Sequence, residues 1–287
     1  MATNIPRHAF PTDDAAEGVE VLDETVDWIL ERLGRSDVAR GQALSTMVTR
    51  AKSHCALDPL AGKIESWQAW VAAMQTGSSL FAAVTTTEED VQCRIAGEAR
   101  TIPALRPQSY TDAGNWVTSF YLALICREQE RLNQLARVPI SLLRESGAVF
   151  DEYIYAWVDA LQRYWLGEPE VMEKLAEAFD GTDPQAAHVA DNELLLKILY
   201  PPLELFHRYL RQDHVKFNQA LVDALTWHKE YWTGDEAREM SSAGLVALGP
   251  LALACLAREA GFPIEVESEY LPKALLEFAW AGELDTW

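Results

Sequence analysis

The residues able to carry chemistry are six histidines, four cysteines and a large excess of carboxylates. His207 and His214 stand seven apart, with Glu204 before them and His228 beyond. On one helix face such a set would gather imidazoles and a carboxylate around a metal ion. Gln212-Asp213 breaks that face, and His228 falls on the apolar series Phe217, Leu221, Leu225, His228, Trp232. The expectation is therefore a core or boundary histidine bonded to a neighbour. Asp151 with Glu152, or Glu168, Glu170 and Glu173, would suit acid–base work. Arg163 and Lys174 are close enough in sequence for ordinary helix-surface pairing, so a solvated face is expected instead. Cys55, Cys93, Cys126 and Cys255 lie far apart with no CxxC spacing and read as reduced, buried thiols. There is no HExxH, GxSxG, GxxxxGK[ST] or GxGxxG after a strand. The reading is a protein with no catalytic, metal or cofactor residues, and not an enzyme.

Binding chemistry is better represented. In Trp227-His228-Lys229-Glu230-Tyr231-Trp232 six consecutive residues cannot all face inward, which leaves aromatic surface near Tyr231 or Trp227 of the kind that favours binding. Further on, Glu265, Glu267 and Glu269 alternate with Ile264 and Val266. In a strand this spacing puts three carboxylates on one face, either a solvated edge or a docking strip for a basic partner. Glu265, Glu267, Glu269, Tyr231, Trp232 and Asp235 are the candidate partner contacts.

The elements that position these residues are helical almost throughout. From Thr12 to Glu31 the chain carries eight acidic residues and no Lys or Arg, while Val19, Leu22, Val26, Ile29, Leu30 and Leu33 recur at helical intervals. Thr12 is a plausible N-cap and Gly34 a stop; Ser36 caps a second helix reaching about His54, and a third spans Ile64 to Val84. Val91, Cys93 and Ile95 alternate with polar residues, and Ala96-Gly97 then turns the chain toward Arg100 and Ile102, predicting a short β-hairpin at 91–102. Helical periodicity resumes near Tyr110 and ends at Val138-Pro139. Shorter helices are predicted at about Ser141–Glu145, Val149–Leu166, Glu168–Phe179, Pro184–Tyr200, Pro202–Arg211 and His214–Trp232. An apolar helix over Gly244–Ala257 is read as core, being short of a membrane span. An extended 264–267 segment and a helix from Pro272 to Trp280 close the chain. The fold class is all-α, an irregular helical-hairpin array of tetratricopeptide-like character with one small β-hairpin. It forms one domain over 1–287, with 1–11 an N-terminal extension and 264–287 an acidic segment packed on the helices.

The formal net charge is −20, from 44 acidic against 24 basic side chains. Such a surface repels nucleic acid and anionic membranes and attracts basic proteins. The excess concentrates in the first helix and in residues 265–285, which hold six acids against Lys273 alone. Met1–Pro11 has no apolar segment of a secretory signal, so a cytoplasmic location is expected.

The stretch Leu194-Leu195-Leu196-Lys197-Ile198-Leu199-Tyr200-Pro201-Pro202, with Phe217, Ala220-Leu221 and His228-Lys229-Glu230-Tyr231-Trp232, resembles the immunity 49 family of bacterial polymorphic-toxin systems. Ala113-Gly114-Asn115-Trp116, Asp151-Glu152-Tyr153, Gly261-Phe262-Pro263-Ile264 and Glu269-Tyr270-Leu271-Pro272 fit the same resemblance, which extends from Ala9 onward. It implies an all-α cytosolic protein that binds and neutralises a cognate toxin domain by covering its active site. The family supplies no catalytic or contact residues to carry over. The charge adds that the toxin domain would be basic, as one attacking nucleic acid is, with neither nucleic acid nor membrane as partner. The alternative is a helical-repeat scaffold or regulator binding a peptide or protein.

Overall fold

Residues 2–12 and 15–282 are described by the structure, a computed structural model. Asp13, Asp14, Glu283 and Asp285 of the acidic runs lie outside them. Helix α1 (Ala15–Arg32) buries Val19, Val26, Ile29 and Leu30, the predicted stripe. Ser36 caps α2 (Asp37–Leu57), its side chain accepting the Ala39 N–H at 3.2 Å. Helix α3 (Ile64–Thr85) is buried nearly all round. It carries Thr76 and Ser78 inside by returning their hydroxyls to its own carbonyls at Ala72 and Met74, each at 2.8 Å.

Strands β2 (Asp90–Ile95) and β3 (Glu98–Pro103) form the predicted antiparallel hairpin. Ala96 and Gly97 both take positive φ, 53° and 80°, as a two-residue turn matched to strand twist requires. The hairpin is pinned to α3, where the Gln75 side-chain oxygen accepts the Ala96 N–H at 3.0 Å. The helical run predicted from Tyr110 is a pair, α4 (Ala113–Cys126) and α5 (Gln129–Leu135), separated where Arg127 turns left-handed at φ 56°. Helices α6 (Ile140–Arg144), α7 (Tyr153–Leu166) and α8 (Val171–Gly181) follow, with Gly167 at φ 69° closing α7.

The predicted helix Pro184–Tyr200 does not form as such. Residues 182–191 are irregular because the Asp151 carboxylate accepts the backbone N–H groups of His188, Val189 and Ala190 at 2.6–3.1 Å. A carboxylate bridging three consecutive amides takes the donors a helix would have used. The helix starts only at α9 (Asn192–Leu194), capped by Asp191, and widens into a π-helical turn over Leu195–Leu199. Then come α10 (Pro201–Leu210), with proline in its first turn, and α11 (His214–Trp232), which has the predicted bounds.

After the short α12 (Glu236–Glu239), a 3-10 turn over Ser242–Leu245 leads to α13 (Leu248–Glu259). By length and composition Ser242–Glu259 would pass for a membrane span, yet most of it is buried in the core. The C-terminal helix α14 (Lys273–Leu276) is shorter than predicted, since Phe278 turns left-handed at φ 52°. Strand β4 is only Val266–Glu267. It pairs in parallel with β1 (Thr3–Asn4), so residues 3–5 are not a loose extension but a strap across the molecule.

The architecture is mostly α-helical, 62% of it helix, with one small hairpin and one two-residue parallel pair. Helices adjacent in sequence pack on one another, α1 on α2, α2 on α3, α3 on α4, α7 on α8 and α10 on α11. The buried side chains form one continuous cluster from Val26 to Leu276. All four cysteines are unbridged; three are buried and Cys93 is half-buried.

Candidate functional site

Helix α1 needs one face for the core and leaves the other free. Along the free face Glu17, Val21, Glu24, Trp28 and Glu31 follow one another at i, i+4, i+7, i+11 and i+14, a single line on an α-helix. Val21 is 56% exposed and Trp28 41%. Neither belongs to the buried stripe, so the helix presents an alternation of carboxylate and apolar side chain to solvent. Glu20 and Asp27 flank it. Arg32 lies over the Trp28 ring, 4.7 Å from its centroid, and pairs with Glu31 at 3.0 Å. Asp23, on the side toward α2, pairs with Arg50. Glu17, Glu20, Glu24 and Asp27 have no ion-pair partner among the described residues. Val21 and Trp28 set apolar surface among these carboxylates, of the kind that serves as an anchor in binding.

The six residues singled out from sequence fall into two separate places. The Tyr231 ring lies under the Arg238 guanidinium, 4.3 Å from centroid to carbon. Asp235 is exposed and caps α12, accepting the Arg238 N–H at 2.9 Å and pairing with its side chain at 2.9 Å. Arg238 also binds Glu193, and Lys197 bridges Glu193 to Glu230. Tyr231 and Asp235 thus belong to one surface ion-pair chain. The Trp232 ring stands edge-on to Tyr231, 5.3 Å between centroids, and packs inward on Gly244, where an added Cβ would lie 2.7 Å from the indole.

Glu265, Glu267 and Glu269 are exposed, alternating with half-buried Ile264 and buried Val266 and Tyr270, as the spacing predicted. Their backbone is not a free edge, however. The Glu265 and Glu267 carbonyls accept the N–H groups of Thr3 and Ile5 at 2.8 and 2.9 Å, and Glu269 pairs with Arg7 at 3.7 Å. The Glu265 N–H is held by the Asn218 side chain at 2.7 Å. Asn218 lies thirteen residues before Tyr231, roughly 20 Å along the axis of α11.

The histidines have separate neighbours. His207 packs edge-on to Phe179, His214 lies on Phe262, and buried His228 is 2.9 Å from the Gly244 carbonyl through Nε2. Among the described residues no three His, Cys, Asp or Glu side chains form a group that would hold a metal ion. Sequence reading took α1 as acidic surface and missed Trp28 and Val21 as its distinguishing residues. The available signal was their place off the Val19–Val26–Leu33 stripe.

The fold is that of a mostly α-helical protein whose first helix sets exposed apolar side chains among carboxylates. Residues 58–275 match the model of the family described as Immunity protein 49, and the chain belongs to that family. The role of the chain is accordingly that of an immunity protein. Helices α1 and α2 precede the matched stretch. No curated protein and no solved structure matches the chain.

Proposed function

We propose that this immunity protein neutralises its cognate toxin domain by binding it and covering its active site, without turnover, in the cytoplasm of the cell that makes it. The outer face of α1 carries the reading: four unpaired carboxylates, Glu17, Glu20, Glu24 and Asp27, surround an exposed Val21 and Trp28. Apolar anchors of this kind supply affinity, while the surrounding like charges speed encounter with an oppositely charged partner. The partner that fits this face is a basic toxin domain, as many domains that attack nucleic acid are. Glu265, Glu267 and Glu269, with Tyr231, Trp232 and Asp235, are the other contacts this reading offers.

Co-expression with the toxin domain encoded beside this chain should rescue growth, and the two should co-purify. Reversing Glu17, Glu20 and Glu24 to lysine should slow association and flatten its salt dependence. Failure of both rescue and co-purification would sink the neutralisation reading. An unchanged association rate would remove only α1 as the docking face.

A further inference from the structure

A cavity of about 250 Å³ opens between α4, α7, the π-helical turn, α11 and the start of α13. Its wall is mainly apolar, with Val117, Tyr121, Ile154, Trp157 and Leu248 among the lining side chains. Most of its polar groups are satisfied. The Trp157 indole donates to the Tyr121 hydroxyl at 3.0 Å, His228 is bonded to the Gly244 carbonyl, and Lys197 is paired with Glu193 and Glu230.

Two are not. Lys52 reaches in from α2 and donates to the Ala243 carbonyl at 2.9 Å, its one protein acceptor among the described residues. Among the described residues no carboxylate lies within ion-pair distance of it. The Trp232 indole N–H is also buried without an acceptor. Lys52 is half-buried, yet among the described residues none of the acidic side chains pairs with it. A desolvated ammonium with no counter-ion is costly, and burial pushes its pKa down to about 8. Two donors, one of them cationic, are thus set in a mainly hydrocarbon wall that also carries the Tyr153 hydroxyl. Their complement is a single negative charge with two acceptor oxygens on an apolar body. A dianion would be undercompensated by one lysine.

We propose that this cavity binds a small monocarboxylate with an aliphatic or aryl body of about eight non-hydrogen atoms, at the roughly 30 Å³ a water occupies in the liquid. The carboxylate meets the Lys52 ammonium and the Trp232 N–H, and the hydrocarbon lies against Val117, Tyr121, Ile154 and Trp157. The lining contains no residue of α1 but shares Trp232 with the second set of proposed toxin contacts.

Calorimetric titration of the full chain at pH 7 with hexanoate and with benzoate tests it. Saturable one-to-one binding is expected, with hexanamide and the Lys52→Met variant each weaker by about ten-fold or more. Should Lys52→Met fold poorly, pH supplies the second readout: hexanoate affinity should fall above pH 8 as the ammonium deprotonates, while the ligand's own charge stays constant. Equal binding of hexanamide, undiminished binding to Lys52→Met, or no saturable heat with either acid would overturn the proposal. If neither acid binds but Lys52→Met weakens the toxin complex, the counter-ion is a carboxylate of the partner and the small-molecule assignment is wrong.

Discussion

Tyr270 holds His8 twice: its hydroxyl oxygen accepts the His8 backbone N–H at 3.0 Å and lies 2.7 Å from the Nδ1 of the same residue. The direction of the bond between the hydroxyl and Nδ1 follows the imidazole tautomer. Both residues are buried, and burial lowers the pKa of His8 and keeps it neutral. Tyr270→Phe leaves a buried N–H and ring nitrogen without a partner. It should cost about 1–3 kcal/mol, read as a lower urea midpoint with earlier proteolysis within residues 2–12. An unchanged midpoint would mean that the strap is held by its strand pairing alone.

Acid should destabilise the fold through its histidines. Burial pushes the pKa of His228 down to about 3 from the ordinary histidine value of 6.5, and burial also lowers those of His8 and His54. Between pH 6.5 and about 3 the unfolded chain takes up protons that the folded chain refuses, so stability falls as the pH drops through that window. His228→Phe should be less stable than the parent at pH 7 and converge on it by pH 4. Parallel denaturation profiles would remove His228 as a source of the acid loss.

Lys52 gives a slope of the same sign at high pH. Its folded pKa of about 8 lies below the ordinary lysine value of 10.5, so from pH 8 to 10.5 the unfolded state holds a proton that the folded state lacks. Stability from this group therefore rises with pH across the window, and the rise should be absent in Lys52→Met. Guanidinium midpoints at pH 7.5, 9 and 10, compared between the two proteins, decide it.

Helices α3 and α4 meet at Gly77. A Cβ there would lie 3.0 Å from the Ser119 Cβ and 3.1 Å from a Leu44 methyl, with the Ser119 hydroxyl closer still. Gly77→Ala should lower stability by about 1–3 kcal/mol although alanine is the better helix former by about 1 kcal/mol. Adding Ser119→Gly should restore part of the loss in thermal melts. Full stability of the single variant would show that the crossing has slack.

Trp28 and Glu24 separate affinity from encounter. Trp28→Ala should raise the dissociation rate of the toxin complex by about ten-fold or more, since a truncated aromatic anchor acts after docking. Glu24→Lys should act mainly on the association rate and its dependence on salt. Surface plasmon resonance at two ionic strengths distinguishes them, and identical effects on both rates would contradict the division.

Local patterning carried most of the fold. Helix α11 needed only its periodicity, the Asp213 cap and the turn after Trp232, all within twenty residues of one another. The hairpin needed only Ala96-Gly97 between alternating strands. What escaped was non-local. Nothing near residues 184–191 announces that Asp151 claims their amides, and nothing near Thr3 announces a partner at Val266. The surface contacts followed the same rule. Exposure of Glu265, Glu267 and Glu269 was readable from alternation, whereas the inward turn of Trp232 depends on Gly244 twelve residues on.

The pairing of Thr3 with Val266 also sets a clock on biosynthesis. The first strand leaves the ribosome with nothing to pair with until its partner, more than two hundred and fifty residues later, has been translated. At about 5–20 residues per second that interval is on the order of tens of seconds. Throughout it Tyr270 does not yet exist, so the His8 environment cannot form on the nascent chain. The last act of folding is then to fasten the earliest-made segment, and a prematurely terminated chain is left with its opening residues unlatched.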